Sequence, residues 1–105
     1  MCIRDRLRAA RVVFDIGVHV HGWDPAKAWE FLSENVAMDR NFLAFEFTRY
    51  LGWPGQAPSY KVGQRLWEAE RDRALASGMD LRDFHTAALA QGALPLEVLS
   101  VALSR

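Results

Sequence analysis

Apolar positions recur at helical spacing along most of this chain. From Arg6 to about Val18, Leu7, Ala10, Phe14 and Val18 stand three or four apart, and Val13 and Gly17 widen the stripe. Asp24-Pro25 then has the form of a helix start, with a carboxylate N-cap and proline at the first helical position. Ala28, Phe31, Leu32 and Val36 share one face of this second helix, which is expected to end near Ala37. Asp39 caps a third, to about Leu51. Its two stripes, Phe42-Phe45-Arg49 and Leu43-Phe47-Tyr50, make it apolar on several sides and predict a central place in the packing. Gly52-Trp53-Pro54-Gly55 ends it with a strong turn signal.

A fourth helix is predicted from Pro58 or Ser59 to about Ala76. Gly63 inside it costs about 1 kcal/mol of helix propensity against alanine, which points to close helix approach or ligand access. Ser77-Gly78 stops it. Asp80 caps a fifth helix, Leu81 to Leu89, with Gly92 as its stop, and Leu94-Pro95 opens a sixth carrying Leu96, Leu99 and Leu103. No segment reads as a strand. The expected fold is all-α, an irregular bundle of about six short helices. Residues 1–6, mostly charged, read as a leader poorly matched to the rest of the chain. Residues 7–105 read as one helical domain or as the C-terminal portion of a larger one.

Composition narrows this picture. At 105 residues, half of them hydrophobic, the chain supports one modest core. Thirteen basic residues balance thirteen acidic ones, which argues against a general nucleic-acid binder. No run approaches the ~20 apolar residues of a membrane span. The single cysteine, Cys2, offers neither a disulfide partner nor a metal knuckle. An HExxH helix, a phosphate loop, a dinucleotide fingerprint and a nucleophile elbow are all missing.

Two clusters carry candidate chemistry. Asp15 and His19 lie four apart, with His21 just beyond. A carboxylate beside an imidazole orients it and favours its charged form, and such a group can donate to a developing oxyanion. The plain alternative is an ion pair at a helix end. The second cluster is Glu46, Arg49 and Tyr50, then Trp53 to Ala57 with Gln56, then Tyr60-Lys61. Arg49 can fork onto a carboxylate, whether Glu46, Asp15 or a substrate terminus. Tyr60 can supply a neutral donor. The alternative here is a buried polar network that orients helices. A separate reading makes the chain a small helical interaction domain that presents Trp23, Trp29, Trp53 and Trp67 to a partner, and a third makes it a structural domain with no site.

The runs Asp15-Ile16-Gly17-Val18-His19, Gly22-Trp23, Arg49-Tyr50, Trp53-Pro54-Gly55-Gln56-Ala57, Tyr60-Lys61 and Gly63 resemble the bacterial family called domain of unknown function 885. Asp80 to His85 and Gly92 to Leu96 fit it as well, so the resemblance runs from about residue 7 to the end. It departs at Met1 to Arg6 and at Pro58, where a larger aliphatic residue is expected. The resemblance implies a large all-helical protein related to zinc metallopeptidases, whose HExxH-type helix and further glutamate ligand lie upstream. This chain would then be a C-terminal portion, inactive alone, holding no zinc ligand itself while the full-length parent binds zinc. Its partners would be the upstream portion and a peptide or related amide. The resemblance further implies His19 and Tyr60 as transition-state donors, with Asp15, Arg49, Tyr50, Gln56 and Lys61 binding substrate or supporting it.

Overall fold

The computed structural model describes residues 2–104. Met1, the first residue of the expected leader, and Arg105, the last of the expected domain, lie outside the described residues. The architecture is all-α, with six helices in chain order: α1 (Ile3–His19), α2 (Pro25–Asn35), α3 (Arg40–Gly52), α4 (Ser59–Ala76), α5 (Leu81–Ala90) and α6 (Leu96–Leu103). No helix among the described residues is long and apolar enough to cross a membrane.

The carboxylate caps act as their sequence positions predict. Asp24 accepts from the Lys27 amide at 2.8 Å, Asp39 from the Asn41 and Phe42 amides at 3.0 and 3.3 Å, and Asp80 from the Asp83 amide at 2.8 Å. Each satisfies donors that the first helical turn leaves unpaired. Two boundaries differ from the periodicity. Helix α1 starts at Ile3, inside the charged leader, and Arg6 donates from Nε to the Asn35 carbonyl at 2.8 Å. Helix α2 ends two residues early, because Val36 turns extended and is buried.

The chain divides into two compact units, Met1–Lys61 and Val62–Arg105. In the first, α1 packs mainly on α2, and both touch α3. Its core holds Ala10, Phe14, Ala28, Leu32, Val36, Leu43, Tyr50 and Ala57. Phe14 is fully buried and meets Phe47 and Tyr50 edge-on, each at 5.7 Å between ring centres. Trp29 adds another edge contact on Phe47 at 5.4 Å. Gly17 lets the chain fold back on itself: a β-carbon there would lie 2.5 Å from the Trp23 ring, whose amide bonds the Gly17 carbonyl at 2.9 Å.

Helix α3 corrects one expectation. Only the Leu43-Phe47-Tyr50 stripe faces the core, while Phe42 and Phe45 are 61% and 65% exposed. The helix packs through one side rather than from the centre.

The second unit is leaner. Its buried residues are Phe84, Ala88 and Leu99, and Trp67 stands edge-on to Phe84 at 5.3 Å. The exposed His85 ring stacks on Trp67 at 6.2 Å, with only 15° between planes. A groove of about 290 Å³ runs between Leu66, Trp67 and Glu70 on one side and Leu96, Leu99 and Ser100 on the other. The Ser100 hydroxyl donates to Glu70 Oε1 at 2.6 Å across it. Gly63 permits the approach that its position predicts, since an added β-carbon would sit 3.3 Å from Leu96 Cδ1.

Candidate functional site

The candidate site is built around Tyr50, which is sealed from solvent in the first unit. Its hydroxyl, one turn along α3 from Glu46, donates to Glu46 Oε2 at 2.5 Å. The same oxygen accepts from Arg49 Nη2, also at 2.5 Å. Burial pushes the Glu46 carboxyl upward, but the hydrogen bonds from Tyr50 and Arg49, with the charges of Arg49 and Arg11, outweigh it and hold the group below its usual value. Arg49 rises in return, chiefly through its bond to Glu46. Tyr50 is pushed up to about 12, first by burial and then by the glutamate that its proton serves. Glu46 is therefore a charged acceptor at neutral pH, and Tyr50 a neutral donor bound to it.

Arg11 completes this cluster, although its sequence context does not single it out. Its guanidinium carbon lies 4.8 Å from the Tyr50 ring centre and 5.3 Å from that of Tyr60. Arg49 also lies over Tyr50, at 5.4 Å, and Arg8 over Tyr60, at 5.3 Å. The one signal is spacing: Arg11 stands four residues before Asp15 and eight before His19, so α1 carries three polar groups along one inward stripe.

Asp15 and His19 both face inward, with separate tasks. Asp15 accepts from the Gly55 amide through both carboxylate oxygens, at 3.1 and 3.2 Å. Gly55 is the third residue of a turn in which the Gln56 amide bonds the Trp53 carbonyl at 3.3 Å. Proline at the second position and a glycine φ of 81° at the third are the pattern of a type II turn. The Pro-Gly-Gln-Ala run thus forms a loop that α1 holds by a charged hydrogen bond. His19 Nε2 bonds the Tyr50 carbonyl at 3.1 Å. A carbonyl only accepts, so Nε2 carries the proton there, and the imidazole satisfies one of the unpaired carbonyls at the end of α3. The Asp15 carboxylate is 3.8 Å from the same nitrogen, within ion-pair range but beyond a hydrogen bond.

The remaining sequence candidates also fall within this unit. Gln56 is half-buried, with Oε1 unbonded among the described residues. Tyr60 is 59% exposed at the first turn of α4, and Lys61 is half-buried beside it. His21 is exposed. The two expected donors occupy different surroundings, His19 against the end of α3 and Tyr60 against Arg8 and Arg11. Three of the four tryptophans spend a ring face on internal packing: Trp23 on Phe31, Trp29 on Phe47, and Trp67 on Phe84 and His85. Only Trp53, at 58%, is counted among the exposed large apolar groups.

No three His, Cys, Asp or Glu side chains among the described residues come together as a metal site. The described residues do not fit a zinc ion.

The fold and site define an all-helical protein with an arginine–tyrosine–glutamate cluster and an aspartate-held turn. The chain belongs to the family described as bacterial protein of unknown function (DUF885), whose match spans residues 1–103. No curated protein matches it.

Proposed function

We propose that this chain supplies substrate and transition-state contacts to a zinc-dependent, peptidase-like hydrolase, as the C-terminal portion of a longer protein. Zinc in this reading is held by residues outside the chain. The observation that supports it is the Tyr50 cluster: two arginines, a charged glutamate and a buried tyrosine in one unit, with Tyr60 exposed beside them. The donors that Glu46 does not take, Arg11 Nε and Nη2 and Arg49 Nε, suit a peptide carbonyl that gains negative charge. In this proposal Tyr60 is a donor, His19 becomes one when its ring leaves the Tyr50 carbonyl, Arg49 and Lys61 bind substrate, and Asp15, Tyr50 and Gln56 support them.

The test is a peptide-hydrolysis assay on the product of the longer reading frame that contains this chain. Tyr60→Phe should lower kcat about 10²-fold with KM little changed, as expected for a donor used only in the transition state. Activity should also disappear on chelation and return with zinc. Wild-type turnover in Tyr60→Phe, or no peptide cleavage by the longer protein, would sink the proposal.

A further inference from the structure

Arg11 is a buried guanidinium with donors that the described chain leaves unbonded. It is 5% exposed, and its Nε and Nη2 have no hydrogen-bond partner among the described residues. A guanidinium cannot shed its proton at any ordinary pH. Burying such a charge is costly unless it is paired and hydrogen-bonded. The two tyrosine faces offset only part of that cost. The nearest acid in the cluster is already engaged, since Glu46 Oε2 takes both the Tyr50 proton and Arg49 Nη2. Asp15 is engaged too, by the Gly55 amide. Around the Tyr50 ring, Arg49 is thus bonded to Glu46, whereas the Nε and Nη2 donors of Arg11 are left without an acceptor. Arg49 Nε is likewise buried and unbonded.

We infer that Arg11 anchors a carboxylate-binding subsite, roofed by Tyr60, that takes the free α-carboxylate of a peptide-like ligand. The Nε–Nη2 edge can meet a carboxylate in two parallel hydrogen bonds, which would satisfy both of these unbonded donors. Tyr50 is fixed in the core, whereas Tyr60 is mostly exposed at a helix start, so it is the ring whose movement uncovers the guanidinium. Peptide as the ligand class rests on the function proposed above; the demand for a monoanion rests on Arg11 itself.

The experiment is an NMR titration of the full 105-residue chain with three probes: an N-acetyl dipeptide acid, the same dipeptide as its C-terminal amide, and inorganic phosphate. The acid should move the Arg11 Nε–H and Tyr60 ring resonances and saturate, with the amide at least tenfold weaker and phosphate no tighter than the acid. Arg11→Gln should lose at least tenfold in acid binding. If that variant does not fold, the acid–amide comparison on the wild-type chain still decides. Equal binding of acid and amide, tighter binding of phosphate, or an unmoved Arg11 resonance would overturn the inference. Binding is read without turnover. Acid-selective binding with no cleavage by the longer protein therefore removes the peptidase reading alone, and cleavage without acid selectivity removes the subsite alone.

Discussion

Phe14 in the first unit and Phe84 in the second are both shut off from water, but their surroundings differ. Phe14 lies among two aromatic edges and a core drawn from three helices. Phe84 meets Trp67 beside an open groove, and α4, the longest helix, buries no residue. Close packing makes each lost contact costly where neighbours cannot move, and less so where they can collapse inward. Among the described residues the first unit also buries two charged side chains, Arg11 and Asp15, while the second buries none. That difference suits the first to carry a site, because fixed dipoles need a rigid frame.

The sharpest way to break this comparison is a pair of truncations. Phe14→Ala should cost about 3–5 kcal/mol, and Phe84→Ala should fall at or below the lower end of that range because the groove gives its neighbours room. Urea unfolding of both variants measures the gap; an equal or larger loss at Phe84 would remove the contrast. Two helical glycines test the same point more gently. Gly17→Ala drives a methyl into the Trp23 ring and should cost about 1–3 kcal/mol. Gly63→Ala meets only the flexible tip of Leu96 and gains helix propensity, so it should stabilise by less than about 1 kcal/mol. Thermal melts that rank the two the other way would show that the second unit is as tightly packed as the first.

An effect that depends on pH concerns Tyr50. Its hydroxyl loses the proton more reluctantly in the folded state than in the unfolded chain, where the ordinary value is 10.0. Its contribution is therefore complete below pH 10 and fades as pH climbs from 10 toward about 12. Tyr50→Phe should cost about 1 kcal/mol at neutral pH and should remove that part of the alkaline loss. Stability curves of equal slope above pH 10 in both proteins would mean that Tyr50 ionises freely.

Local signals make most of the fold legible. Asp24-Pro25, Asp39 and Asp80 announce three helix starts because a capping carboxylate acts within three residues. Gly63 announces a close approach for the same kind of local reason. What misleads is tertiary. The stripe Phe42-Phe45 is as apolar as Leu43-Phe47-Tyr50, and only the arrangement of α1 and α2 decides which one is covered. Val36 has helical spacing, yet its burial draws the backbone extended. In the site, Tyr50 and Arg49 stand out as polar groups on an apolar helix. Arg11 does not, since an arginine near Arg8 looks like one more surface charge until the fold encloses it.

The bond between Asp15 and Gly55 also bears on how this protein can vary. Residue 55 is glycine because the turn needs its positive φ, and the turn is held because residue 15 accepts its amide. The losses from changing either one should not add, because whichever goes first removes the reason for the other. Two positions 40 residues apart thus act as one unit, and a double-mutant cycle on Asp15→Ala and Gly55→Ala should read their coupling directly.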